Sequence, residues 1–363
     1  MGPVERPISK PPGTPVEELD TPALVVDREV MERNIEVFQG FFSDSPTKVR
    51  PYVDAHLCPA IARRQLAAGG ATDGILTGTL GTAEVFVEQG FTDVAIAMPV
   101  VGSQKINRVC HLARWARITV NVDHAQNVRD LSEAASWCGV TIGILLAVRL
   151  NPDRWGVEPG RAALSLAQEV TAAPGLRLEG LSAAGAVPER HEPARASVAP
   201  PLQRVLDLRE SMEKVGLDVR TVRAGNTASY QTVGSLPGIT EVPAGAYVLS
   251  DLRHRQLFRP AARVLSTVIS RPEPGLALLD LGQKAIGADT GLPATDLPGA
   301  RISRQSAEHG FLEVNGSSAG LGSKVWAIPH HAGNCVNLYD YINIAAGGRL
   351  EVIWPVAARG HYR

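Results

Sequence analysis

The sequence has 363 residues, 44% of them hydrophobic and 20% charged, with a formal net charge of −1. This near-neutral balance excludes the basic surface that nucleic acids and anionic membranes require, so the predicted partner is a small molecule. No apolar run is long enough to cross a bilayer. Residues 1–21 are polar and proline-rich, lack the apolar core of a signal peptide, and are expected to form a flexible segment. The four cysteines form no CxxC pair, which predicts a reducing cytoplasm.

Short apolar runs alternate with helical patterns between residues 22 and 254. The predicted strands are 23–27, 48–53, 74–79, 93–98, 117–122, 141–150, 176–182, 219–225 and 246–251. Such alternation is typical of a parallel sheet covered by helices, and about eight such units favour an α/β fold of the (β/α)8 barrel type. The alternative is a doubly wound open sheet, but no GxGxxG motif follows a first strand. From residue 255 to 363 short strands separated by turns predict an all-β domain.

Several stretches together carry a resemblance to a known family. They are DTPALVVDREVMERNI, RPYVDAH, DRWGVEPG, RAGNTASY, EVPAGAYVLSD, LDLGQKAIGADTGLP and PHHAGNCVNLYD. The sequence resembles the D-threonine aldolase and D-serine dehydratase group of fold-type III pyridoxal phosphate (PLP) enzymes, which are relatives of alanine racemase. The resemblance implies a (β/α)8 barrel followed by a β domain, a head-to-tail homodimer, and an active site at the barrel mouth.

One position departs sharply from the family pattern. The family carries a lysine in the stretch RPYVDAH, where it forms the Schiff base with PLP, but this sequence has Asp54 there. Arg50, Pro51 and His56 match the pattern on either side. A carboxylate cannot form an imine, so PLP is a doubtful cofactor for this chain.

Lys48 and Lys284 are the two alternative candidates for the Schiff-base lysine. In a regular strand Lys48 lies about 20 Å from residue 54, at roughly 3.3 Å per residue. Lys284 occupies a position where the family itself often has lysine. Neither is predicted to replace the Schiff-base lysine.

Two further departures concern the surroundings of the cofactor. The family has a tyrosine and a histidine near the cofactor ring, where this sequence has Ala183 and Ala184. The family also binds a divalent metal through His-x-Asp or His-x-Cys, and the corresponding residues here are His331 and Gly333. Glycine has no side chain that could coordinate a metal.

Other parts of the family site persist. Gly225, Asn226 and Thr227 match the turn that holds the cofactor phosphate, and Arg154 matches a family arginine. We predict that these four residues bind an anion, since backbone N–H groups of such a turn can hold one. The alternatives are a plain turn and a surface arginine.

Acid/base and metal chemistry can be predicted at the remaining polar residues. Asp54 and His56 form a candidate general acid/base pair. In family geometry His331 would lie near position 54, so Asp54 would supply the missing oxygen ligand to Zn²⁺ or Mn²⁺, with Cys335 as a weaker candidate ligand. The alternative is that His331 has kept only a hydrogen bond.

Three functions remain open from the sequence. The favoured one is a PLP-independent lyase or isomerase that acts on an amino-acid-like substrate by retro-aldol cleavage, dehydration, epimerisation or cyclisation. The second is a PLP-dependent aldolase or dehydratase that uses another lysine. The third is a non-catalytic protein that binds PLP or an amino acid, which is favoured if an arginine such as Arg50 or Arg149 neutralises Asp54.

Overall fold

The protein is described by a computed structural model that covers residues 10–183, 195–315 and 319–363. Its contacts divide the chain into two units. We call Phe38–Asp54, Ala62–Gly245 and His361–Arg363 the barrel unit, and Met1–Val37, Ala55–Ile61 and Ala246–Gly360 the β unit. Ala183 is a buried residue of the barrel unit, whereas Ala184 lies outside the described residues.

The described elements are numbered in chain order. The strands are β1 Ala23–Asp27, β2 Lys48–Pro51, β3 Ile75–Thr77, β4 Asp93–Ile96, β5 Arg117–Val122, β6 Ile142–Ala147, β7 Leu176–Ala183, β8 Thr221–Ala224, β9 Glu241–Ala244, β10 Ala262–Glu273, β11 Leu276–Leu279, β12 Ala294–Thr295, β13 Ala300–Gln305, β14 Gly310–Val314, β15 Lys324–Ile328, β16 Tyr341–Ala346 and β17 Arg349–Pro355. The helices are α1 Arg28–Gly40, α2 Pro59–Ala67, α3 Leu80–Glu88, α4 Ser103–Leu112, α5 Ala125–Cys138, α6 Arg161–Ala172, α7 Arg195–Lys214, α8 Tyr230–Gly234, α9 Ala246–Leu249, α10 Gln283–Ile286 and α11 Ala332–Val336. Single 3₁₀ turns span Val16–Glu18, Val53–Ala55 and Thr227–Ser229.

Eight parallel strands form the described part of the barrel unit. They follow the order β2-β9-β8-β7-β6-β5-β4-β3, and parallel bridges from Val49 to Ala71 and from Tyr52 to Leu76 join the two ends of this order. The strands are almost wholly buried, because side chains on both faces of a barrel strand are covered by the barrel interior or by the outer helices. The predicted (β/α)8 barrel is therefore confirmed.

The last barrel strand lies earlier than the sequence predicts. Residues 246–251 were expected to form it, but the strand is β9, and the apolar run that follows forms the short helix α9. Pro243 lies within β9 opposite Arg50, and proline weakens any prediction of a strand. Length and apolar character alone did not distinguish α9 from a strand.

The first strand also pairs differently from the prediction. β1 was expected in the barrel, but it pairs antiparallel with β10 and parallel with β16 in the β unit. Part of the segment expected to be flexible is ordered there too. Val16 and Leu19 are buried in a cluster with Leu265, where their apolar side chains cover that part of the sheet and are removed from water.

The β unit is built on a nine-stranded sheet. Its strand order is β13-β14-β11-β10-β1-β16-β17, and β15 pairs with β10 and β12. Most neighbours are antiparallel, which confirms the predicted β domain. No helix in the described ranges is both long and apolar enough to cross a membrane.

Ion pairs in which at least one side chain is buried occupy the end of the barrel where its strands begin. Arg223 on β8 pairs with Glu241 at 2.7 Å, and Arg117 on β5 pairs with Glu179 at 2.9 Å. Burial raises the pKa of Glu241, but the charges of Arg223 and Arg50 outweigh this effect, so its pKa is lowered overall. Ion pairs at this end of a barrel contribute to stability and not to catalysis, because the reacting groups of such barrels lie at the other end.

We predict that Glu241→Gln lowers the free energy of unfolding by about 3 kcal/mol, because it leaves the buried Arg223 without its charged partner. Urea denaturation at neutral pH measures this change. The matched control is Glu213→Gln, which removes a surface pair with Arg209 and should leave stability unchanged. Equal stability of the two variants would contradict the prediction.

Candidate active site

Asp54 lies at the barrel mouth. β2 ends at Pro51, and the 3₁₀ turn Val53–Ala55 follows it at the C-terminal end of the strands, where barrels of this kind place reacting groups. Asp54 Oδ1 accepts a hydrogen bond of 2.9 Å from the backbone N–H of Gly78, the first residue after β3. Two neighbouring strand ends thus fix the orientation of this carboxyl group.

Gly78 allows a close approach to the carboxyl group. A Cβ atom at this position would collide with Asp54 Oδ2 and would lie 2.9 Å from the hydroxyl of Tyr52. The carboxyl group and the phenol therefore lie against the same glycine. Sequence reasoning assigned Tyr52 no role, since its position next to Gly78 depends on the pairing of β2 with β3.

The environment of Asp54 suits proton transfer. Burial raises the pKa of Asp54 to about 6, and the hydrogen bond from Gly78 offsets only part of that rise. A carboxyl group with a pKa near the working pH exchanges protons readily in both directions, which is the property of a general acid/base.

The two arginines considered as partners of Asp54 are engaged elsewhere. Arg50 bonds to the carbonyl of Ile75 and pairs with Asp93 at the opposite end of the barrel. Arg149 pairs with Glu158 at 3.0 Å. Neither contact involves Asp54, which weakens the argument for a purely structural role of its carboxyl group.

His56 is held in a buried turn of the β unit. Its side chain is fully buried, and its Nδ1 atom accepts a hydrogen bond of 3.1 Å from the backbone N–H of Cys58. This arrangement is typical of a structural histidine. The acid/base role that the sequence suggested for His56 stays a prediction.

The predicted anion-binding turn satisfies its own donors. Asn226 Oδ1 accepts hydrogen bonds from the N–H groups of Ala228 and Ser229, at 2.9 and 3.1 Å. The N–H group of Asn226 donates to Ser229 Oγ at 3.0 Å. Gly225 takes a positive φ of 87° at the start of this turn, and Thr227 is buried within it. Three of the donors that would hold a phosphate are therefore already used.

Arg154 lies in the loop between β6 and α6, which belongs to the mouth of the barrel. Its side chain is exposed, and its backbone N–H donates to the carbonyl of Asn151 at 3.0 Å. The loop leaves the guanidinium group accessible to an anion. Its binding role stays a prediction.

His331 begins a helix in the β unit. It is the N-cap of α11, and its Nδ1 atom accepts a hydrogen bond of 3.0 Å from the N–H of Asn334. Burial and the charge of Arg253 lower the pKa of His331, which favours the neutral ring with its proton on Nε2. A metal-binding histidine usually donates from its second nitrogen, so the observed bond does not suit a ligand.

The neighbours of His331 fit a metal no better. Gly333 has no ligating atom, and Cys335 is fully buried with its thiol directed at the carbonyl of Ala285. Burial raises the pKa of the Cys335 thiol, so it stays protonated. Across residues 10–183, 195–315 and 319–363, no three His, Cys, Asp or Glu side chains cluster as a metal site. The predicted Zn²⁺ or Mn²⁺ site finds no support in this geometry.

Asp251 anchors the helix that His331 caps. Its Oδ1 atom lies 2.8 Å from Nδ1 of His254, and its Oδ2 atom accepts a hydrogen bond of 3.0 Å from the N–H of Ala332. Both Asp251 and His254 are buried. The sequence suggested no role for this pair, because the bond that ties Asp251 to the helix joins residues 81 positions apart in the chain.

The residues present do not fit a PLP imine at position 54. The two lysines considered as substitutes have partners of their own. Lys48 donates to the carbonyls of Phe42 and Ser43 at the start of β2, and Lys284 pairs with Glu308 at 2.5 Å. Within the barrel unit Lys48 is therefore at the opposite end of its strand from Asp54.

Comparison with known proteins identifies the family. Residues 26–251 match the family described as alanine racemase, N-terminal domain, and residues 261–345 match the putative serine dehydratase domain. The chain belongs to the alanine racemase-like family in which a barrel of this type precedes a serine dehydratase-type domain.

The relatives define the group within that family. The chain is 33% identical to D-threonine aldolase from Arthrobacter sp, over 97% of this chain and 96% of that protein. It is 28% identical to D-threo-3-hydroxyaspartate dehydratase from Delftia sp. (strain HT23), over 86% and 91%. The crystal structure of D-threonine aldolase from Filomicrobium marinum has a TM-score of 0.90 at 34% identity, covering 97% of this chain and 99% of that one. The predicted resemblance to D-threonine aldolase, within a family of lyases, is confirmed.

We predict that Asp54→Asn stabilises the protein at pH 8 and has no such effect at pH 4. The folded-state pKa of Asp54 is about 6, above its ordinary value of 3.8, so stability falls as the pH rises from about 4 to about 6. The expected gain at pH 8 is about 1–2 kcal/mol, allowing for the partial exposure of the side chain. Urea denaturation at both pH values measures it.

Asp44→Asn, at an exposed position of the same unit, provides the baseline for this comparison. A gain that is the same at pH 4 and pH 8 would show that the charge of Asp54 costs the fold nothing.

We predict that His331 acts as a helix cap. His331→Ala should lower the free energy of unfolding by about 1 kcal/mol, whereas His331→Asn should retain it, because asparagine accepts the same bond. Denaturation curves and elemental analysis of both variants provide the measurement. Bound metal in the native protein that both substitutions abolish would establish His331 as a ligand instead.

Proposed function

We propose that the protein is a lyase or isomerase that acts on an amino-acid-like substrate by acid/base chemistry at Asp54, without a PLP imine. The observation that carries this proposal is the carboxyl group at the barrel mouth with a pKa of about 6. The family resemblance implies a Schiff-base lysine at the same position. Family membership supports the substrate class, since the relatives are named for D-threonine and for 3-hydroxyaspartate.

Asp54 would move a proton at the reacting centre of a 3-hydroxy amino acid or a related compound. In retro-aldol cleavage its carboxylate takes the hydroxyl proton, the Cα–Cβ bond breaks, and Cα then takes up a proton. In dehydration its carboxylate takes the Cα proton and then, as the carboxylic acid, gives it to the departing hydroxyl, which leaves as water. Epimerisation needs only the loss and return of the Cα proton, and cyclisation needs the same kind of proton transfer. The hydroxyl of Tyr52 lies against the same glycine as the Asp54 carboxyl group and is a second polar group in this part of the mouth.

Two predictions about assembly and location accompany this proposal. The family resemblance implies a homodimer, and the cysteine content indicates a cytoplasmic protein. Metal assistance is not part of the proposal, because Nδ1 of His331 is occupied as a hydrogen-bond acceptor and burial keeps the thiol of Cys335 protonated.

We predict that Asp54→Asn reduces turnover by a factor of about 10²–10⁴, since general acid/base catalysis typically contributes that much. The assay follows products from D-threonine and from 3-hydroxy-D-aspartate without added PLP. The rate should change with pH around a value of about 6 in the native protein and lose that dependence in the variant. Asp44→Asn is the control, and full activity of Asp54→Asn would overturn the proposal.

The role of PLP is tested separately by absorption spectroscopy. With added PLP the native protein should show no imine band that survives dialysis and is trapped by borohydride, whereas Asp54→Lys should gain one if the mouth still admits the cofactor. A trapped imine in the native protein would instead identify a PLP-dependent enzyme with a different lysine. Tight PLP binding without an imine or turnover would favour the non-catalytic alternative.

A further inference from the structure

The tripeptide His361–Arg363 belongs to the barrel unit, although the preceding residues belong to the β unit. The carbonyl of His361 accepts hydrogen bonds from the hydroxyls of Thr79 and Thr82, at 2.9 and 3.4 Å. Thr79 is the N-cap of α3, and Thr82 lies in its first turn. The tripeptide is therefore docked where the chain leaves β3 at the barrel mouth.

A charged clamp holds the other end of the tripeptide. Arg108 on α4 donates from Nη2 to the carbonyl of Arg363 at 2.7 Å. Glu84 on α3 fixes Arg108 by two hydrogen bonds of 2.6 and 2.5 Å. Charge-assisted and bidentate bonds of this kind are stronger and more directional than neutral ones. The two ends of the tripeptide are thus held by different helices.

Gly81 makes this docking sterically possible. A Cβ atom at Gly81 would lie 2.5 Å from the carbonyl oxygen of Arg363 and 2.7 Å from that of His361. Both neighbours are backbone atoms, which cannot turn aside as a flexible side chain can. The backbone of the tripeptide therefore lies directly on the first turn of α3.

The docking brings the tripeptide to the strand end that holds Asp54, because Thr79 bonds to His361 and the preceding residue, Gly78, bonds to Asp54. Tyr362 is about half exposed, at 52% of its full surface. Burial of the phenol raises the pKa of Tyr362, and the negative charge of Asp54 raises it further, in keeping with this docking. A phenol with a raised pKa keeps its proton at neutral pH and can donate a hydrogen bond.

We propose that the tripeptide His361–Arg363 is a wall of the active site, which holds the Tyr362 ring beside the Asp54 carboxyl group and limits what reaches it. This inference rests on the proposed function in one respect, that Asp54 is the reacting group. Tyr362 is then a positioning residue, whose ring narrows the mouth and whose hydroxyl offers a donor to a polar substrate.

The docking is tested by ¹⁹F NMR of the full chain labelled with 3-fluorotyrosine. Six tyrosines give six signals, and Tyr362→Phe identifies the one that belongs to Tyr362. Gly81→Ala should move this signal to the position of free fluorotyrosine, because its Cβ atom displaces the tripeptide. Gly40→Ala is the matched control, since a Cβ atom at Gly40 has nothing within 4 Å.

The same spectrum tests the distance between the two side chains. Asp54→Asn should shift the Tyr362 signal, because it removes the nearby charge without displacing the tripeptide. Either of two results would overturn the proposal. One is a Tyr362 chemical shift equal to that of free fluorotyrosine in the native protein, and the other is a shift that stays the same in both Gly81→Ala and Asp54→Asn.

The wall is tested by labelling carboxyl groups with a water-soluble carbodiimide and an amine. Tyr362→Ala should raise the labelling rate of Asp54 about tenfold, as loss of a modest local protection does, whereas Tyr362→Phe should leave it low. The exposed Asp44 is the internal reference in every sample. Equal labelling of Asp54 in the native protein and in Tyr362→Ala would show that the ring shields nothing.

Kinetics separate this proposal from the proposed function. With D-threonine or 3-hydroxy-D-aspartate as the probe, Arg108→Gln and Tyr362→Ala should raise KM more than they lower kcat, since they loosen a binding wall. Lys105→Gln, an exposed cation on the same helix α4, should behave as the native protein. Full activity of Asp54→Asn would contradict the proposed function. The NMR and labelling results would still show, independently of activity, whether the tripeptide forms the wall.

Discussion

The hydrogen bond from Gly78 to Asp54 is the contact on which the candidate site depends. It is the bond that offsets part of the cost of burying this carboxyl group, and it leaves the pKa near 6. The arginines inside the barrel pair with acids at the opposite end, as Arg223 does with Glu241. Paired charges thus stabilise the base of the barrel, while an incompletely compensated acid remains at the mouth. A site that transfers protons requires such an acid, whose two protonation states are close in free energy.

The family scaffold is retained here with a different set of functional groups. At position 54 an acid stands where the family resemblance implies a lysine, the turn at Asn226 uses its donors internally, and His331 caps a helix beside Gly333. These differences lie on separate elements of the chain, so one accidental substitution does not explain them. Overall likeness to D-threonine aldolase therefore establishes ancestry and fold, whereas the chemistry has to be argued from the site itself.

The sequence predicted the architecture well because strand and helix periodicities are local signals. Two strand predictions were wrong. β1 pairs with strands of the β unit, which a local pattern does not reveal, and Pro243 within β9 made that segment look unlike a strand. Asp54 could be found because neighbouring residues fix its alignment with the family pattern. The position of Tyr362 could not be, since it depends on a bond between Thr79 and His361, which are 282 residues apart.

An aspartate at position 54, where the family resemblance implies a lysine, also sets the depth of the proposed site. An aspartate side chain is much shorter than a lysine side chain, so the reacting atom is withdrawn toward Gly78 and the barrel wall. A substrate must then approach more closely, and any space left above the acid would admit water. In the proposed wall the ring of Tyr362 fills that space, and Gly81 accommodates the backbone that carries it. Two glycines that follow β3 thus make the proposed arrangement sterically possible. Gly78 leaves room for the Asp54 carboxyl group, and Gly81 leaves room for the tripeptide proposed to cover it.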